Sequence, residues 1–218
     1  MIIVGNRMRP RFSLSIALTL FAAAPLLFAG DHAMPPPKDA STYASHDAHA
    51  TEHVVIAAEP YDNKEKEKIF RIQYVENGFM PVYVIVTNNS DKPILLDQAR
   101  IDFISAQGDR IPAASAEDVE RRMTHIRGAG KVVPLPGPLP PVRTKPKSPD
   151  KKIEQDFSDF QYSAATVPPH STRAGFLFYD IQGLGETPLK GANLTLRELH
   201  DSDGKELFYF QIALDKYL

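Results

Sequence analysis

Cysteine is absent from all 218 residues. That rules out a disulfide staple, a thiol nucleophile and thiolate metal ligands, and it removes the acylated Cys on which a bacterial lipoprotein anchor depends. Stability has to come from an apolar core, and a chain of this length can bury one. The motifs of the common catalytic machineries are missing as well: there is no Gly-rich phosphate loop, no Ser nucleophile elbow and no HExxH helix. Nor is there an excess of basic charge. The 25 Lys and Arg face 27 Asp and Glu, a net charge of −2, which argues against nucleic acid or an anionic membrane as the main partner. Long hydrophobic runs are confined to Leu14–Phe28. That run falls short of the ~20 residues a spanning helix needs, and Pro25 interrupts it.

What is present begins with that run. Arg7, Arg9 and Arg11 precede it, and the small residues Ala29 and Gly30 follow it, the pattern of a secretory signal peptide over 1–29. Cleavage after Ala29 lowers the basic count from 25 to 22 against the same 27 acids, a net charge of −5. The sequence therefore predicts a periplasmic or secreted protein with no membrane span after cleavage. Residues 30–52 carry Pro35-Pro36-Pro37 and few large apolar side chains, so they are expected to be a disordered tail that has little burial to offset its ordering entropy.

From residue 53 onward the pattern predicts an all-β domain. A strand is expected from Val54, a solvated turn or short helix at Lys64-Glu65-Lys66-Glu67-Lys68, and β-structure at Ile72 and Tyr74 before a turn at Glu76-Asn77-Gly78. The continuous run Val82-Tyr83-Val84-Ile85-Val86 predicts a strand covered on both faces. Short strands follow at Ile94-Leu95-Leu96 and around Ile101 and Phe103, the latter two facing opposite to Arg100 and Asp102. One helix is expected at 116–127, with Ser115 and Asp118 as a capping box and Val119, Met123 and Ile126 as its apolar stripe. Seven prolines between Pro134 and Pro149 make 132–150 an extended loop. Phe157, Phe160 and Tyr162 are expected packing anchors beyond it. The last third predicts strands at 174–179 and 193–197, a turn at Asp203-Gly204, and a return strand burying Phe208, Phe210, Ile212 and Leu214.

Two stretches taken together carry a resemblance. Gly78-Phe79-Met80-Pro81-Val82 leads to the turn Asn88-Asn89-Ser90-Asp91-Lys92-Pro93, and Pro168-Pro169-His170-Ser171 leads to Gly175-Phe176-Leu177-Phe178. Over residues 53–218 the chain resembles exported bacterial immunoglobulin-like domains of uncharacterised function. The resemblance implies an antiparallel immunoglobulin-like β-sandwich with one helical insertion and a Pro-rich loop. It also implies a binding or assembly role, and it brings no catalytic residues with it.

The candidate chemistry is sparse. His32, His46, His49 and His53 crowd the expected tail, and imidazoles suit copper or nickel. Cleavage after Ala29 would place Gly30-Asp31-His32 at the amino terminus, an arrangement able to wrap a square-planar Cu(II) or Ni(II). The competing reading is a polar tail with incidental histidines. Pro138-Leu139-Pro140-Pro141-Val142-Arg143 fits a polyproline ligand pattern but reads as a stiff spacer. Asp201-Ser202-Asp203-Gly204 opens like a calcium loop yet lacks the downstream Glu, and reads as a turn. Glu117, Asp118, Glu120, Arg121, Arg122 and His125 read as a solvated helix face. The function expected is a non-enzymatic envelope module acting through protein–protein contact, with the helix and the Pro-rich loop as contact surfaces. A periplasmic copper- or nickel-binding protein and an unrecognised envelope hydrolase are the alternatives.

Overall fold

Ten consecutive residues from Phe79 to Asn88 are buried, so the run that reads as a doubly covered strand is one. The computed structural model describes residues 32–128 and 150–217. The expected signal peptide lies outside them, as do Gly30, Asp31 and nearly all of the Pro-rich segment. Among the described residues the chain forms, in order, β1 (His46–His49), β2 (Val54–Pro60), β3 (Phe79–Asn88), β4 (Ile94–Leu95), β5 (Arg100–Ile104), β6 (Arg110–Pro112), α1 (Ala116–Gly128), α2 (Lys151–Phe160), β7 (Thr166–Val167), β8 (Ser171–Asp180), β9 (Asn193–Arg197), β10 (His200–Asp201) and β11 (Phe210–Ala213).

These strands form three antiparallel sheets, in the orders β1-β2-β3-β8, β10-β4-β7 and β11-β9-β5-β6. The longest ladder joins β3 to β8 over ten residues, from Phe79 opposite Asp180 to Asn88 opposite Ser171. Pro81 is tolerated in this central strand because β2 ends opposite Val82. The missing N–H therefore faces the end of the ladder, while the Pro81 carbonyl still accepts from Tyr61 N at 2.8 Å.

Alternation along β2, β3 and β8 sends side chains to two separate cores. One face carries Val54, Ile56, Met80, Val82, Val84, Leu177 and Tyr179, packed with Phe103, Leu194, Leu196, Phe210 and Ile212 of the other four-stranded sheet. The opposite face carries Ala57, Tyr83, Ile85, Phe176 and Phe178. It is covered by Val119 and Met123 of α1, by Ile153, Phe157 and Phe160 of α2, and by Tyr61, Phe70 and Tyr74 from the segment before β3. Phe70 stands edge-on to Tyr74, Phe160 and Phe176, with centroids 5.4, 5.2 and 5.0 Å apart, a geometry that adds about 0.5–1.5 kcal/mol per pair to the burial. The Asn88 turn and the Pro168-Pro169 turn meet at Asn88: its Nδ2 donates to the carbonyls of Lys92 and Pro168 at 2.7 and 3.2 Å.

Several expectations need correction. Among the described residues there are two helices rather than one. Helix α1 starts with the expected capping box, Asp118 N donating to Ser115 Oγ at 3.2 Å, and buries Val119 and Met123. Helix α2 buries Ile153, Phe157 and Phe160, one turn apart on its inner face, with Asp150 as its N-cap. Residues 72–74 form no strand. The segment instead runs through two 3-10 turns, Lys66–Ile69 and Val75–Asn77, and closes at Gly78 in the left-handed region (φ 82°). Side chains hold it down: the buried Asp156 accepts from Arg71 N, Arg71 Nη1 and Tyr74 Oη at 3.0, 2.9 and 3.1 Å.

Residues 32–52 are not structureless. They contain a 3-10 turn (Ala40–Thr42) and β1, which pairs with β2 from His46 opposite Ala57 to His49 opposite Val54. Backbone pairing and polar side chains order this stretch: Asp47 Oδ2 accepts from Gln211 N at 2.9 Å and Glu52 Oε1 from Phe208 N at 3.0 Å. Finally, the return strand starts at Phe210, so Phe208 is 77% exposed.

Glu67, expected on a solvated run, is only 3% exposed. Its carboxylate accepts from Val75 N at 2.8 Å. Burial pushes its pKa above 4.5, a shift only partly offset by the Val75 and Tyr74 N–H groups. A carboxyl with a raised folded pKa binds its proton more readily in the native state, so its contribution to stability falls as pH rises through that raised value. Glu67→Gln keeps the acceptor oxygen and removes the charge. It is expected to raise the urea midpoint at pH 7.5, with the gain shrinking towards pH 4. An equal gain at both pH values would contradict the assignment.

Candidate binding pocket

The edge of β8 away from β3 is where the two four-stranded sheets and the helices come together. Two segments dock along it through backbone bonds, Ala114 N to Phe178 O at 2.7 Å and Tyr162 N to Phe176 O at 2.9 Å. The second docking requires Gly175. A Cβ there would stand 2.4 Å from Tyr162 Cα and 2.7 Å from its N, closer than any real contact, so only glycine lets the chain leaving α2 lie against the sheet. This places Tyr162 beside the core shared by the two four-stranded sheets.

Between Tyr162–Ala165, the start of β5 and the short edge strand β6 lies a pocket of about 550 Å³, within the usual range for small-ligand sites. Leu96, Ala99, Ile101, Ala164, Ala165 and Leu177 make much of its wall apolar, and Arg100, Asp102, Arg110 and Arg197 supply charge. Strand register explains the polar group: Arg100 lies opposite Arg197 on β9, and Asp102 lies two residues farther along β5, so all three share one face. Asp102, on the face opposite Ile101 and Phe103, is buried. Its Oδ2 accepts from Arg197 Nη2 at 3.1 Å, with Arg110 Nε at 3.8 Å. Arg100 pairs with Glu198 at 3.1 Å, a residue held at φ 60° where β9 ends.

Among the described residues, two buried side-chain polar atoms lack a hydrogen-bond partner: the Tyr162 hydroxyl and Arg197 Nε. Both residues line this pocket. A buried group without a partner costs about 1–3 kcal/mol, so their coincidence among the residues of one pocket sets it apart. Burial raises the Tyr162 pKa, although Arg173 pulls the other way, so the hydroxyl keeps its proton at any physiological pH. A second depression of about 650 Å³ beside α1 offers no such groups. There Arg122 is paired with Asp180 at 2.5 Å, and Arg121 bonds to Asp118.

The residues singled out by the sequence lie elsewhere and are not gathered into one site. His32 Nδ1 donates to Ile69 O and His46 Nδ1 to Tyr43 O, both at 2.8 Å. His49 stacks on Phe210 with centroids 3.9 Å apart, its ring nitrogens 3.0 Å from Glu52 Oε2 and 3.5 Å from Asp47 Oδ2. His53 sits in the left-handed region at the turn into β2. The imidazoles of His32, His46 and His49 are engaged separately, and among the described residues no group of three or more His, Cys, Asp or Glu is arranged to hold a metal ion. The Asp201–Gly204 turn is closed by its own backbone, Gly204 N to Asp201 O at 3.0 Å. Sequence reasoning missed the pocket. The one available signal was the Tyr162 anchor among small residues after α2.

Comparison of the chain with protein-family models, with curated proteins and with solved structures finds no match. Among the described residues, no helix is long and apolar enough to cross a membrane.

If the Tyr162 hydroxyl is buried and unpaired, removing it relieves a cost rather than breaking a bond. Tyr162→Phe is expected to raise the unfolding free energy by about 1 kcal/mol, read from urea denaturation. A loss of similar size would show that the hydroxyl has a partner in the folded protein.

Proposed function

We propose that this chain is an exported, non-enzymatic binding module of the bacterial cell envelope, built as an immunoglobulin-like β-sandwich and acting through protein–protein contact. The leader at 1–29 supports export, and the single apolar core shared by two four-stranded antiparallel sheets supports the architecture. The contact face is carried by one observation: the exposed aromatics adjoin the pocket. Phe208 and Tyr209, 77% and 59% exposed, are the exposed large hydrophobic side chains among the described residues. They line a shallow depression together with Glu198, Glu206 and Arg197, and Arg197 also lines the pocket with the unpaired donors. Tyr, Phe and Arg around a concave surface are the side chains that dominate binding energy at protein interfaces. Phe208 is fixed there by its own N–H, held by Glu52.

This moves the contact surface away from the one expected from sequence. Helix α1 spends Val119 and Met123 on the core, and nearly all of the Pro-rich segment lies outside the described residues.

A photo-crosslinking residue at position 209 is expected to trap one envelope protein in intact cells, whereas the same residue at 152 on α2 is not. Identical adducts from both positions, or none from 209, would contradict the proposal.

A further inference from the structure

The pocket beside the aromatic pair has a chemistry of its own. Arg197 Nε carries one hydrogen and no lone pair to offer, so it can only donate. The Tyr162 hydroxyl, kept protonated by burial, donates as well. Neither has an acceptor among the described residues, and both residues line the pocket. An oxygen acceptor brought from outside would complete both. Arg100 and Arg110, 66% and 55% exposed, stand at the mouth, where Glu198 pairs with Arg100, Asp102 lies near Arg110 and Asp97 adds a carboxylate to the lining. The rest of the wall has the opposite character. Leu96, Ile101 and Leu177 with Ala99, Ala164 and Ala165 leave an apolar recess with small side chains where bulk would otherwise fill it. One kind of ligand matches both halves: an oxygen anion at the end of a short apolar body. A cation offers no acceptor to either donor. A wholly apolar ligand would leave both donors unpaired, and a polyanion would have only one side of the pocket to occupy.

We infer that the pocket binds a monocarboxylate with an apolar body, its carboxylate taken by Tyr162 Oη–H and Arg197 Nε–H and its apolar part seated against Leu96, Ile101 and Leu177. The two donors are hidden from solvent in the unliganded protein, so the carboxylate reaches them by entering the wall, with the guanidinium of Arg197 turning on its bond to Asp102. The inference rests on the reading of this face as a binding surface and names what it recognises. Two sources present the same chemistry: the free carboxyl terminus of a protein whose last residue is apolar, and a free medium-chain fatty acid.

The test uses the full mature chain, with ¹⁵N-resolved titrations and calorimetry. The probes are octanoate and its uncharged analogue octanamide, and a hexapeptide ending in a free Leu carboxylate and the same peptide amidated. At least one acid is expected to bind and to shift the amides of residues 99–102 and 162–165. Its uncharged partner is expected to bind at least tenfold more weakly, since a hydrogen bond to a charged group is worth roughly ten- to a hundredfold in affinity. Tyr162→Phe is expected to weaken the acid about tenfold and leave the uncharged analogue unchanged, a difference that a merely structural hydroxyl would not produce. Binding of the peptide acid alone assigns the source to a protein terminus, and binding of octanoate alone assigns it to a fatty acid. Equal affinity for acid and amide would overturn the carboxylate assignment and leave the contact face standing. Shifts confined to residues outside the pocket, or no shift with any probe, would overturn the pocket as a site altogether, while crosslinking from position 209 would still report on the face beside it.

Discussion

Burial of one sheet on both of its faces is the constraint from which the rest of this structure follows. Strand β3 lies between β2 and β8, and its side chains feed two cores that never meet: aliphatic residues with Tyr179 towards the second sheet, aromatics towards the helices. At ~25 cal/mol per Å² of apolar surface removed from water, a strand buried on both faces contributes roughly twice what a one-sided strand does. It also obliges the chain to provide two covers. The second four-stranded sheet is one, and α1, α2 and residues 61–78 together are the other. Without cysteine, nothing else ties these layers covalently. Short side-chain-to-backbone bonds do the local joining: Asn88 to Val167, Asp156 to the 71–74 segment, and Asp47 and Glu52 to the edge of β11.

The pocket is a by-product of that layering. Where a two-sided sheet ends, its last strand must be capped or left as an open edge. Here β8 is capped by Ala114 and by Tyr162, the latter admitted only by the bare Cα of Gly175. The cap does not fill the gap to β5 and β6 completely, and the Tyr162 hydroxyl and Arg197 Nε are left without partners around the remaining space. The same arginine reaches towards Phe208 and Tyr209, so the least satisfied polar atoms and the most exposed aromatics share one region of the molecule. The energetic cost of that region is offset by the two cores beneath it.

The doubly covered strand was legible because a buried strand has no polar face to interrupt its apolar run, and Val82–Val86 shows none. Helix α1 was legible because its start is encoded locally by Ser115 and Asp118. Helix α2 carries an equally clear spacing in Ile153, Phe157 and Phe160, but it follows the proline-rich stretch directly and was read as scattered anchors. The segment 32–52 defeated a composition argument for a different reason. Its order comes from backbone pairing with β2 and from carboxylates that cap another strand's N–H groups, neither of which appears in an apolar count. Phe208 broke an otherwise sound period-two pattern because Glu52, distant in sequence, fixes its backbone outside the strand. Apart from the Tyr162 anchor, the pocket was beyond reach of local patterns: Leu96, Asp102, Arg110, Tyr162 and Arg197 belong to segments that only the packing of β5, β6 and β9 against the chain after α2 brings together. The histidines drew attention by number alone, and the structure gives His32, His46 and His49 separate partners.

Native-state hydrogen exchange followed residue by residue tests the two-sided burial most directly. The account predicts that the amides of residues 82–86 and 176–179 exchange last, at the free energy of global unfolding, and that those of β5 and β9, covered on one face by the shared core, exchange sooner through partial opening. Exchange of residues 82–86 ahead of β5 and β9 would show that β3 is not the element on which both cores depend.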